Sequence, residues 1–198
     1  MSLTKTQIIS MALLQLGHAP ISSLLDGDPL VVSAEAVYDM KLPAILSRGN
    51  WRFAVQISQL SQINETPPKP WQYVYGLPAG FLKMIQMYPR MYDWDIYTNE
   101  KIYTYYTGEL FMEYVFQPDV SRFPSYFSDY FSTVIAEYLA LTNAEKTEYY
   151  AALKQERVRL EAMANALETQ NRPNFSQQLF PVLDNRYISG LIGNTLSS

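Results

Sequence analysis

Apolar positions recur at helical spacing from the first residues onward. Ile8, Met11, Ala12 and Leu16 share one helix face. Thr4-x-x-Gln7 ahead of them is a capping-box pattern, in which each side chain satisfies an amide of the first turn. Gly17 is placed to cap the end, and Pro20 cannot continue the helix. Residues 18–27 read as a loop that closes at Asp26-Gly27. Asp28-Pro29 then opens a second helix, with Asp as N-cap and Pro in the first turn. Its mainly apolar face is Ala34, Val37, Tyr38, Lys41, Ile45 and Leu46. Pro43 falls inside that pattern and predicts a kink or a division. Gly49-Asn50 ends the element.

The period then changes to two. Trp51, Phe53, Val55 and Ile57 alternate with Arg52, Ala54, Gln56 and Ser58, which predicts a half-buried strand. Thr66-Pro67-Pro68-Lys69-Pro70 reads as a stiff extended connector. Residues 81–88 are apolar on both faces and read as a buried strand. Residues 101–106 and 110–116 flank Thr107-Gly108-Glu109 and predict a hairpin, with Leu110, Met112, Tyr114 and Phe116 on one face of its second strand.

Helical spacing returns after Pro118. Phe127, Tyr130, Phe131, Val134, Ile135 and Tyr138 form a broad stripe. A break at Thr142-Asn143 leads to a last helix from Ala144 to about Gln170, with Tyr149, Leu153, Leu160, Met163 and Leu167 as its apolar positions. Glu156 interrupts that stripe, and Arg157/Glu161 and Glu156/Arg159 are spaced as surface pairs. After Asn171-Arg172-Pro173 the periodicity is lost. The segment is either disordered or an arm that docks elsewhere, a neighbouring subunit included, and its isolated apolar groups, Phe175, Leu179-Phe180 and Tyr187-Ile188 among them, are then candidate interface residues. The expected fold is α+β: mainly a helical bundle with an inserted antiparallel β region and an extended C-terminal arm. Residues 1–50 and 121–172 make the helical part, 51–120 the β-rich insertion, and 173–198 the arm.

Composition narrows the chemistry. With 198 residues and 48% apolar, the chain can bury a core. It has no Cys and a single His, which removes thiol catalysis, iron–sulfur clusters, cysteine zinc sites and multi-histidine metal centres. His18 follows a helix end, where a capping or surface role is the simpler reading. No glycine-rich phosphate loop and no Gly-x-Ser-x-Gly elbow is present. The apolar stretches fall short of the ~20 residues of a membrane helix, and no signal-peptide pattern opens the chain, so folding in a cytoplasm is expected. Tyrosine is the excess: 16 residues, nine of them between Tyr73 and Tyr114.

Three chemistries are to be weighed, two of them in the β region. Asp93 and Asp95 flank Trp94, roughly 6.5–7 Å apart if both lie in a strand. With Glu109 and Glu113 they are candidates for a cell-wall glycosidase that uses paired carboxylates. Turn and edge positions explain the same residues more simply. Asp26, Asp28 and Glu35 are conceivable metal ligands but lack the spacing of a calcium loop, so no metal and no cofactor is expected. An aromatic platform for single-stranded nucleic acid is the third. Charge opposes it: the net charge is −4, and residues 71–120 hold three basic residues against six acidic ones. Tyr and Trp also serve in cores and protein interfaces.

The stretch LSRGNWRFA, Leu46 to Ala54, resembles the Trp-x-Phe-Ala segment that ends the second helix in a family of bacteriophage head-to-tail adaptors. Ala12 to Pro29 is similar to the preceding part, with Leu16-Gly17, Pro20 and an acidic turn. Trp71 to Pro78 resembles the aromatic Tyr-x-Leu-Pro step, here Tyr75, Leu77 and Pro78. The hairpin region 95–115 and the helix 127–141 follow in order, so the resemblance covers about residues 4–170. Gly49-Asn50 departs from the His-Pro that many members carry, and 171–198 matches loosely.

The resemblance implies a structural virion protein without catalytic residues, in the tail or neck after synthesis in the bacterial host cytoplasm. It implies a ring of about twelve copies docked under the portal protein, each monomeric when free. The ring would carry the downstream tail or nozzle protein and let DNA pass without specific binding. It also implies helices facing the portal and lining the channel, with the C-terminal segment along neighbours.

Overall fold

The structure, a computed structural model, describes residues 3–25, 27–49, 51–90, 93–97, 100–142 and 147–170. Helices α1 (Lys5–Gln15) and α2 (Pro29–Arg48) come first, and α3 (Ser125–Thr142) and α4 (Thr147–Gln170) last. Between them lie β1 (Val55–Gln59), β2 (Gln62–Ile63), β3 (Tyr73–Gly76), β4 (Phe81–Tyr88), β5 (Trp94–Tyr97), β6 (Lys101–Thr104) and β7 (Phe111–Phe116). The fold is α+β, a helical bundle with an antiparallel β insertion. The arm, with Phe175, Leu179, Phe180, Tyr187 and Ile188, lies outside the described residues. Among those residues no helix is long and apolar enough to cross a membrane.

The helix ends follow local chemistry. Thr4 and Gln7 exchange both bonds of the capping box. At the other end of α1, the Gly17 N–H donates to Leu14 O and the His18 N–H to Leu13 O, a Schellman closure with Gly17 at φ 72°. The Asp28 carboxylate caps α2 through the Leu30 N–H at 2.8 Å. Pro43 does not divide α2. The face carrying Tyr38, Leu42, Ile45 and Leu46 is buried, and that packing holds the helix through the missing bond.

Helix α3 is the centre of the bundle and packs against α1, α2 and α4. From Phe127 to Ala140 only Asp129 and Tyr138 escape full burial, so this helix is covered nearly all round. In α4 the inward stripe is Leu153, Arg157, Leu160, Ala164 and Glu168. Met163, expected inside, is 49% exposed. Arg157 and Glu168 sit where apolar residues belong because each meets polar partners there, Glu137 and Glu161 for Arg157, the Arg52 N–H and the Tyr126 hydroxyl for Glu168.

The strands form two sheets, β1-β7-β4 and β2-β3-β6-β5. The hairpin expected from 101–106 and 110–116 is not formed. β6 pairs with β3 and β5, whereas β7 pairs with β1 and β4, so residues 105–110 cross from one sheet to the other. The Tyr75 hydroxyl fixes this crossover, donating to Gly108 O at 3.0 Å and accepting from the Gly108 N–H at 3.3 Å. Leu110, fully buried, drops between the sheets. The expected strand at 51–58 begins only at Val55, because Arg52–Ala54 coil into a 3-10 turn. Residues 81–88 are not a buried strand either. β4 is an edge with two register shifts and leaves Ile85 46% exposed. The proline connector ends in a turn, with the Trp71 N–H donating to Pro68 O at 3.1 Å.

Two hydrophobic clusters result. The larger joins all four helices with Trp51, Ala54 and Val115. The smaller lies between the sheets and contains Leu60, Tyr75, Met87, Ile102, Leu110, Met112 and Tyr114. β7 bridges them: Met112 and Tyr114 point into the smaller cluster and Val115 into the larger.

Candidate functional site

Two of the motif residues, Trp51 and Phe53, lie at the seam between bundle and sheet. Trp51 is 2% exposed. Its ring meets Phe127 edge-on at 5.0 Å and lies tilted 5.9 Å from Tyr130, and Phe53 packs on Phe127 at 4.7 Å. The indole Nε1–H donates to Ile45 O at 3.0 Å, which ties the chain leaving α2 back to that helix. Gly49 makes room for this: a Cβ there would stand 2.1 Å from Trp51 Nε1. The structure thus explains Trp51 and Phe53 as a packed corner, not as alternating strand positions. Trp51 and Ala54, three apart, both turn inward.

Glu168 completes the corner and was not legible as a functional position. It is 5% exposed, accepts the Arg52 N–H at 2.9 Å and the Tyr126 hydroxyl at 2.6 Å. Burial, and then the bond to Glu168, raises the Tyr126 pKa above the ordinary phenol value. Reading α4 as the stripe 153-157-160-164-168 is the signal that would have found it.

The other motif residues divide between places. Leu16 is in the helical core, while Gly17 and Pro20 are exposed at the end of α1. Tyr75 and Leu77 belong to the cluster between the sheets, and Pro78 turns the chain by accepting the Phe81 N–H at 3.2 Å. His18 bridges the two ends of the α1–α2 loop, with Nε2 3.0 Å from an Asp28 oxygen and Nδ1 2.8 Å from Ala19 O. The Leu30 amide, with His18 adding to it, holds the Asp28 carboxyl below the usual range.

The candidate carboxylates are dispersed. Asp95 is exposed on β5, where it accepts the Ile96 N–H, and exposed Asp93 precedes that strand. Glu113 is on β7 of the other sheet, bonded by the Tyr88 hydroxyl at 3.3 Å, with Arg52 at 3.9 Å. Glu109 alone of the four lines the hollow beside Gln59, Gln62 and Tyr75. The conceivable metal ligands are likewise separated: Asp28 caps α2, Glu35 pairs with Lys5 at 2.8 Å, and Asp26 lies outside the described residues. Among the described residues no group of three His, Asp or Glu is placed to hold a metal ion. The aromatic excess forms local ring pairs, such as Trp71–Tyr105 at 5.2 Å and Tyr97–Tyr103 at 5.3 Å.

A charged cluster sits beside the seam. The expected surface pair Arg157/Glu161 is in fact part of a triad. Arg157 Nε donates to Glu137 of α3, and Nη1 to Glu161 at 2.8 Å. The Glu137 side chain is 10% exposed. Glu156/Arg159 remains on the surface as expected. No protein-family model and no curated protein matches the chain.

Proposed function

We propose that the protein is a structural component of a bacteriophage or prophage virion, a head-to-tail adaptor that docks under the portal and extends the DNA channel. The observation that carries this is the ordered succession of family-like segments, Ala12–Pro29, Leu46–Ala54 and Trp71–Pro78, ahead of the 127–141 helix. The packing supports it. Trp51 and Phe53 lock the chain leaving α2 onto α3, and Val115 of β7 joins the same core, so bundle and sheets share one packed seam, which suits a part that must transmit position between two neighbours. Net charge supports it too, since an acidic ring offers DNA phosphates few cations to bind. A ring needs two different contact patches on each subunit.

The test is genetic and morphological. Particles made without the protein should package DNA but fail to retain it or to attach tails. Complete, infectious, tailed virions from such a lysate would refute the proposal.

A further inference from the structure

Strands β1, β7 and β4 turn one face towards the second sheet and the other away from it. Met112 and Met87, opposite one another on β7 and β4, belong to the cluster between the sheets, and Ser58 of β1 stands in the same row. The neighbouring row, Ile57, Glu113 and Gln86, therefore alternates onto the outer face. Phe111 lies on that face too, opposite Tyr88. Ile85 joins it at the register shift that follows inward-facing Met84.

The outer face is open and largely apolar. Ile57 is 57% exposed, Ile85 46% and Tyr88 38%. The carboxylate at its centre, Glu113, is already met by the Tyr88 hydroxyl at 3.3 Å and by Arg52 at 3.9 Å, so it does not oppose an apolar cover.

Helix α4 ends beside this face. Glu168, in its last turn, accepts the Arg52 N–H at 2.9 Å, and the guanidinium of the same Arg52 is the group that reaches Glu113. One arginine thus spans from the end of α4 to the middle of the sheet. The chain continues past Gln170 for 28 residues, 171–198, of which only Arg172, Asp184 and Arg186 are charged. Phe175 comes five residues after Gln170, a reach of up to about 17 Å, against a width of about 10 Å for three strands. Leu179 and Phe180 follow within the next five. A short tether holds such a segment near the face at an effective concentration on the order of millimolar, which favours it over a second copy or a separate partner. We infer that the segment after Gln170 covers the outer face of the β1-β7-β4 sheet of its own chain, with Phe175, Leu179 and Phe180 set against Ile57, Ile85 and Tyr88. This goes beyond the adaptor reading and does not depend on it.

The test uses the full chain, isotope-labelled for NMR. The sequence has no Cys, so Asn185→Cys provides a single thiol for a nitroxide label. The amide signals of Ile57, Ile85 and Glu113 should lose most of their intensity to the nitroxide. Ile57→Ser with Ile85→Ser, two exposed positions, should restore most of it with an unchanged circular dichroism spectrum. Phe175→Ser with Phe180→Ser, on the segment itself, should restore it as well. Three results would overturn the inference. Full intensity in the unaltered chain would leave the face open to another partner. Equal loss in both double variants would mean that the tether alone brings the label near. Loss in a mixture of nitroxide-labelled and isotope-labelled chains would assign the face to a second copy.

Discussion

Removing Trp51 tests the seam directly, and the structure separates two contributions. The indole is buried among Phe53, Phe127 and Tyr130 at centroid distances of 5.0–6.3 Å. Truncation to alanine leaves a cavity in a core that α2, α3 and the 3-10 turn share. The loss should be about 3–5 kcal/mol, a large part of a total stability of about 5–15 kcal/mol. The hydrogen bond is a smaller matter. Ile45 O, its acceptor, also receives the Gly49 N–H at 3.1 Å. Trp51→Phe therefore orphans no carbonyl and should lose about 0.5–1.5 kcal/mol for the bond, with a modest packing loss beside it. Urea unfolding followed by far-ultraviolet circular dichroism, extrapolated linearly to water, measures both variants. If Trp51→Ala costs under 1 kcal/mol, or the two variants are equally destabilised, the corner does not hold bundle and sheet together as described.

Three further outcomes follow from the same geometry. Gly49→Ala places a methyl against the Trp51 indole and should cost about 1–3 kcal/mol. In a Trp51→Ala background that penalty should largely disappear, and a double-mutant cycle without coupling would show that the indole is not what it meets. Arg157→Met leaves Glu137 buried without its partner and should cost about 3–5 kcal/mol, whereas Glu161→Gln, at the exposed end, should cost under about 1 kcal/mol. Equal thermal shifts for these two would contradict the triad. Burial pushes Tyr38 and Tyr130 up to about 12. Because their folded pKa values exceed the unfolded value near 10, their contribution is intact below pH 10 and is lost as pH rises from 10 towards 12. A phenolate absorbance titration should show a late-ionising class coupled to alkaline unfolding; a single class near 10 would refute it.

Local signals in the sequence were reliable where the chain satisfies itself within a few residues. Thr4 with Gln7, Asp28 with Pro29, and Gly17 each dictate a helix end through bonds that need no distant partner. Pairing across the sheets was not legible. Strands 101–104 and 111–116 look like a hairpin around Gly108, but each finds its partners in different sheets, set by Tyr75 and Leu110 from outside the turn. An edge strand such as 81–88 can also carry the apolar content of a buried one, since exposure depends on what flanks it. The polar residues of the seam were hidden for a related reason. Arg157 reads as half of a surface pair and Glu137 and Glu168 carry no signal of their own; only the meeting of α3, α4 and the 52–54 turn gives them their partners. Trp51 was legible by resemblance, yet its role as the indole clasp on Ile45 came from the fold.

Imaging a cognate portal ring by negative-stain electron microscopy, with and without the purified protein, bears most directly on the adaptor proposal. The expected result is an added tier of density under the portal, with the channel continuing through it, from a protein that sediments as a monomer alone. Portal rings that remain unchanged at saturating protein would contradict it.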